Sequence, residues 1–438
     1  MSSQRQRRTS FVGAARRIGS DDSGIAMLTV VGVSVVLFIL ATMLLVLSGH
    51  LTTMTAAQVA STKAMHMADA GLNAYLYELR RDPTFYVANP TLGPTSLDDG
   101  VWTVQASATG GPGSPIDIVA VGSIPSYDVT RTVRAEVRFP SYADYMFLSD
   151  SNISIGSEAR IVGSIRANGW IENKGTVTDN AFAGGSITDT ASGTDPVDGL
   201  PKGVRGSKMP NQPDVDFSQV TTDLNAIRIL ADSAGTSFGS SGSKGYQVVM
   251  NGTQVEVLKV TGGDTTGDLK TTSVGLYPVP ASGVFYFNDN VWVRGTYSTK
   301  LTIASTRIMR INGNIEPSDE TRPFTCGLIA QDNINVPSWY PITAVFPTDV
   351  VLQAALLSQT GTVQAEMQTG VFRNSIHIKG SNAYQDQGGF VSVSGTKQVA
   401  GFRSRLYEYD RRLEVEPPPM YPRLRDGTLR VSTWFEGA

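Results

Sequence analysis

The sequence predicts a mainly β protein in which a long N-terminal transmembrane and amphipathic α-helix precedes a β-rich ectodomain wound as a β-solenoid (β-helix), with a helix and hairpin insertion. Three observations predict it. Ile25 to Gly49 is a run of 25 uncharged, mostly apolar residues. Beyond it Met65, Ala68, Leu72, Leu76 and Leu79 recur at helical spacing until Pro83. From Asn152 onward, short apolar couplets return at intervals of about six residues, with Gly, Asn and Ser between them.

The first element is a membrane span. After Asp22 no Asp, Glu, Lys or Arg occurs until Lys63, and the apolar run exceeds the ~20 residues a helix needs to cross a hydrocarbon core. Arg5, Arg7, Arg8, Arg16 and Arg17 precede it against only Asp21 and Asp22, a net +3. Basic flanks stay inside, so the N-terminus is expected in the cytoplasm and the chain from about Leu51 on the far side, as a single-pass membrane protein with an extracellular ectodomain. A cleaved secretory signal would carry an apolar region of only about 7–15 residues. The span and its amphipathic continuation give one helix from Ile25 to Arg81, 57 residues and roughly 85 Å long.

The remaining composition excludes several functions. The chain has net charge −3, so without its basic leader it is more acidic still and offers no clustered cations for nucleic acid. Cys326 is the single cysteine, and His50, His66 and His377 are the only histidines. No cofactor, metal site or catalytic residue is therefore expected.

The leader and helix resemble those of type IV pilins. Residues 1–24 look like a basic leader cut by a prepilin peptidase between Gly24 and Ile25. Ala64-Met65-His66-Met67-Ala68-Asp69-Ala70-Gly71-Leu72, followed by Tyr77-Glu78-Leu79, is similar to the A-x-x-A-E-A-G-L block of PilX-type minor pilins. The resemblance implies that the helix assembles with other pilin-like subunits and the pilus or secretion machinery, with Asp69, Gly71 and Leu72 on the assembly helix. It departs at Thr29, where pilins usually carry a Glu that neutralises a neighbour's terminal amine. A subunit lacking that Glu suits a minor or tip position, because an unpaired ammonium among packed helices is costly. An uncleaved signal-anchored surface protein that binds or acts on extracellular polysaccharide is the alternative.

The ectodomain divides further. Residues 83–143 read as a small sheet, with Val101 to Ala106 and Thr132 to Phe139 alternating as paired strands across a Gly/Pro/Ser-rich turn region. Residues 144–190 hold the first solenoid coils, an ordinary twisted meander being the rival reading. Residues 191–280 read as an inserted loop, helix and hairpin: Asp216 caps a helix to about Ala234 with Val220, Leu224, Ile227 and Leu230 on one face, and Asn251-Gly252 turns a hairpin. Couplets resume through 281–438. There Gly401-Phe402, Leu406 to Leu413, Pro417-Pro418-Pro419 and Trp434 resemble the closing block of large PilX-type proteins, and the prolines are expected to close the open end.

Two arrangements argue for an enzyme. Gly235-Thr236-Ser237-Phe238-Gly239 matches a nucleophile elbow in letters, yet a helix precedes it where a strand is required. Glu408 and Asp410 fall on one strand face about 7 Å apart, but neighbouring arginines favour surface ion pairing worth about 0–1 kcal/mol each. Cys326 beside apolar residues reads as a small core residue.

Overall fold

A computed structural model describes residues 22–82, 84–108, 115–395, 397–424 and 429–437, and it is a long helix followed by a β-rich body. Of the expected basic leader (residues 1–24), residues 1–21 lie outside the described residues, as does Pro83. Helix α1 spans Asp22–Arg81. Strands β1 (Thr91–Leu97), β2 (Gly100–Ala108), β3 (Ile116–Ile124) and β4 (Val129–Arg138) form an antiparallel sheet in chain order. Its fifth strand is Arg430–Gly437, from the far end of the chain, paired with β4. The two strands expected to pair, β2 and β4, are separated by β3, whose alternation Ile116, Ile118, Ala120 lay inside the stretch read as a turn region.

The second half of α1 is held by this sheet. Ala60, Ala64, Ala68, Leu72, Tyr75 and Leu79 are buried against Trp102, Val104, Ile118, Ala120 and Val133, and each large aliphatic residue so buried contributes ~1.5–3 kcal/mol. Small residues set the spacing. A Cβ on Gly122 would fall 2.1 Å from the Ala64 carbonyl oxygen and 2.4 Å from the Ala68 nitrogen, and one on Gly71 would meet the Trp102 indole at 2.9 Å.

The rest of the chain is dominated by parallel ladders. Along one of them, in spatial order, lie Ser237–Phe238, Val284–Phe287, Leu301–Ser305, Cys326–Ala330, the end of Asp349–Ser358 and the end of Phe372–Tyr384. The neighbour that follows is not a later strand. Phe147–Ser149 pairs with Asn382–Tyr384, and beyond it come Ile165–Ala167, Ala181–Ala183 and Lys208–Met209. A second ladder makes the same join, Tyr407 beside Ile161. The chain returns to the first ladder after 18 and then 16 residues (Phe147, Ile165, Ala181), visiting three ladders on the way. That is the origin of the roughly six-residue couplets. The third ladder is broken at the join: among the described residues no strand pairing links Val363–Glu366 to Ile153–Ile155.

This order explains the segment expected as an insertion. The early strands run outward from the join to Met209, and the later ones begin at the opposite end, so residues 210–236 must travel nine inter-strand steps, ~43 Å. Helix α2 (Gln219–Ala234) covers part of that distance with Val220, Leu224, Ile227 and Ala231 turned inward. Asp216 accepts from the Ser218 N–H at 2.9 Å one turn before it, and Gly235 ends it with φ of 71°. The hairpin is present, with its turn one residue later than expected: Asn251 pairs with Gln254 across Gly252-Thr253, and positive φ falls on Gly252 and not on Asn251. It does not interrupt the ladders, since its first strand, Gly245–Gly252, pairs in parallel with Val291–Tyr297.

The prolines also sit elsewhere than expected. Pro418 and Pro419 lie against the flank of the first ladder at Gly327 and Gly283, and the Pro419 carbonyl accepts from Thr302 Oγ1 at 2.5 Å. The end near Gly245 is covered instead by Gln254–Gly262 and Lys270–Pro278. Replacing Gly122 by Val should lower the stability of the helix–sheet unit by ~1–3 kcal/mol through overpacking, while Gly156→Ala, whose Cβ meets nothing within 4 Å, should leave it unchanged. Thermal unfolding of the full chain in lipid nanodiscs checks both.

Candidate functional site

Helix α1 changes environment along its length. Residues 27–59 are exposed almost throughout, including Leu28, Phe38, Leu45 and Met54, and full burial begins at Ala60. This half is a candidate membrane span by length and composition. Several of its threonines are already satisfied: Thr42 Oγ1 donates to the Phe38 carbonyl at 2.8 Å, Thr52 to Ser48 at 3.0 Å and Thr55 to Leu51 at 2.8 Å. A hydroxyl bonded within its own helix enters hydrocarbon without an unpaired donor. Where the helix meets the sheet, Lys63 Nζ pairs with Asp99 at 2.6 Å and Arg131 Nε donates to Ser61 Oγ at 2.9 Å.

The residues singled out on this helix fall in three settings. Gly24 and Ile25 lie on continuous α1 backbone, without described side chains. Thr29 is exposed on the projecting half, and Asp69 is half-buried beside the sheet. Gly71 and Leu72 are enclosed by the chain's own sheet: Leu72 is buried and Gly71 lies beneath Trp102. The Ala-Asp-Ala-Gly-Leu block thus packs the helix onto the chain's own sheet. Trp102 and Gly122, the partners that give Gly71 and the alanines their meaning, carried no signal of their own in the sequence.

The two carboxylates do not share a strand: Glu408 lies on Lys397–Tyr409 and Asp410 just past its end. Glu408 is half exposed and lies 3.1 Å from His377 Nε2. Asp410 is buried and receives Arg412 Nε at 3.0 Å, Arg412 Nη2 at 2.6 Å and the Arg412 N–H at 3.0 Å. Burial alone would raise its carboxyl, and the Arg412 hydrogen bonds outweigh that effect and hold it below the usual value. An acid locked in this pair is an ion-pair partner and not a proton donor at neutral pH, so the expectation of two exposed surface pairs is corrected at Asp410. Ser237 follows a helix C-terminus and enters a strand, the reverse of a nucleophile elbow. Cys326 is buried, its thiol pushed up by desolvation. Among the described residues no group of three His, Cys, Asp or Glu could hold a metal ion.

No family model matches the chain, and no curated protein does. Among solved structures it aligns with the competence-associated pilin ComZ from Thermus thermophilus at 12% identity, covering 86% of this chain and 97% of that one with a TM-score of 0.33. It also aligns with an ice binding protein from an Antarctic biological consortium at 8% identity, covering 61% and 86%, with a TM-score of 0.25.

Asp410→Asn should cost about 1–3 kcal/mol, because it removes Arg412's countercharge and leaves the guanidinium with the Glu320 and Arg322 carbonyls, whereas Glu408→Gln should cost under ~1 kcal/mol. A carboxyl depressed in the folded state stabilises above its unfolded value and loses that contribution as pH falls, so the difference between wild type and Asp410→Asn should shrink below about pH 4. Urea unfolding at pH 7 and pH 3 measures it.

Proposed function

We propose that the protein is a membrane-inserted, surface-exposed pilin-like subunit, a minor or tip component of a type IV pilus or pseudopilus, that presents a β-solenoid ectodomain for assembly or adhesion. The observation that carries this reading is the division of α1: one continuous helix offers an exposed apolar half over residues 27–59 and anchors the other half in the core of its own sheet. Such a helix can move from a bilayer into a bundle of like helices without refolding, since both surroundings are apolar. Gly24-Ile25 stands where a prepilin peptidase would separate the basic leader from it, and a charged leader cannot follow the helix into an apolar bundle. Thr29 supplies no carboxylate for a neighbour's terminal ammonium, which favours an end position over the repeating body. The role is structural: Asp410 is committed to Arg412 and Ser237 lacks the setting of a nucleophile.

Mass spectrometry of the N-terminus, on protein from membranes and from sheared surface filaments, tests the reading. The expected product begins at Ile25 with a methylated amine. Recovery of only molecules beginning at residues 1–3 from cells with an active prepilin peptidase would replace the reading with a signal-anchored surface protein. In a producing strain, Thr29→Glu should raise the number of copies per filament counted by immunogold labelling, because it restores the missing countercharge.

A further inference from the structure

The join between early and late strands contains a side chain that the fold does not explain. In the first ladder the inward column reads Phe285, Ile303, Leu328, Leu356, Asn382, Phe147, Ile165, Ala181. Every member but one is apolar. Asn382 is 1% exposed, and neither its Oδ1 nor its Nδ2 has a hydrogen-bond partner in the protein. An amide buried without partners loses its hydration and regains nothing. Leu would fit the column better, so stability does not account for Asn.

Asn382 lines a cleft of about 320 Å³ at the place where the third ladder is broken. Four rings also line it, Phe147, Tyr384, Phe390 and Tyr407, and Phe147 and Tyr407 meet edge to face at 5.1 Å. One rim is the turn at Ser154 to Ala159, held open at a fixed distance by Gln387, whose side-chain amide both donates to the Ser154 carbonyl at 2.9 Å and accepts from its N–H at 2.7 Å. A ligand for this cleft must present apolar faces to the rings and both a donor and an acceptor to the amide. It need carry no net charge, because the two charged residues of the lining, Glu158 and Arg405, are of opposite sign. A pyranose ring meets all three conditions: its C–H faces stack on aromatic rings and each hydroxyl both donates and accepts. The volume lies in the range of small-molecule sites.

We propose that this cleft is a binding site for one neutral pyranose residue, such as the end of an extracellular glycan, with Asn382 as the polar anchor. It does not depend on the pilin-like reading, since a chain never cut at Gly24-Ile25 would bind sugar equally well. Nor would failure here disturb that reading, which the N-terminal mass tests separately.

The test uses the full chain in lipid nanodiscs, because alkyl glycoside detergents would compete. Saturation-transfer NMR is run with the methyl glycosides of glucose, galactose, mannose and N-acetylglucosamine. At least one should bind. Asn382→Leu should weaken that glycoside at least tenfold while raising the melting temperature. Gly156→Trp, at an exposed rim position whose Cβ meets nothing within 4 Å, should block the mouth and abolish binding with the melting temperature unchanged; it decides the matter if Asn382→Leu does not fold. Binding of none of the four glycosides by wild type overturns the proposal, as does undiminished binding by either folded variant.

Discussion

The structure depends on one join, the parallel pairing of Asn382–Tyr384 with Phe147–Ser149 and of Tyr407 with Ile161. Strands that belong to opposite ends of the β-rich body's sequence become neighbours there, more than 230 residues apart. Until they meet, each half of the stack ends in an open row of backbone donors and acceptors and an uncovered apolar column. Loop closure over that distance must be paid before the contacts return anything, so the join is expected to form late in folding. Its rings, Phe147 against Tyr407 and Tyr384, are what bring the two half-stacks together.

The same logic governs the sheet that grips α1. Four of its strands follow the helix directly, but Arg430–Gly437 comes from the C-terminus and covers the open edge of β4. Between the two units the chain passes through a buried pair, Arg138 to Asp144 at 2.9 Å, and Arg423 lies over the Phe139 ring at 5.5 Å. The last part of the chain therefore completes both units and ties them to each other at the base of the helix.

Much of this was legible from the residues. The apolar run, its stop before Asp82, the alternation of β2 and the face of α2 each followed from a local period, and the structure has them; the Asn-Gly hairpin is there too, with its turn shifted one residue to Gly252-Thr253. Strand order was not legible. Parallel neighbours in a stack need only apolar residues at matching positions, and Phe147 would pair as well with Ile165 alone as with Asn382 in addition, so nothing local marks where the sequence order reverses. The prolines at 417–419 misled for a related reason: a segment unable to donate ladder hydrogen bonds can lie along a flank as readily as across an end. At the helix, Gly71 and Leu72 were singled out by the resemblance to an assembly helix, but a small residue at a close contact does not say whether the surface that approaches belongs to the same chain or to another. Asp410 was misjudged as exposed because strand pairing brings Gln353 to it from a distant part of the chain, while Arg412, two residues on, was read as a surface partner.

The return segment over residues 210–236 sets a limit on the length of the β-rich body. Fully extended, residues 210–218 could reach ~30 Å and the 16-residue α2 adds ~24 Å, so the segment exceeds the nine steps it spans by ~10 Å. Each duplicated coil in either half would push the two ends apart by ~4.8 Å, so the segment can absorb about two before it is taut. Beyond that, α2 would have to grow by about three residues at ~1.5 Å each for every further coil. Natural variants that gain several coils should show a matching lengthening between Met209 and Ser237, and engineered extensions that ignore it should strain the tether before they strain the ladders.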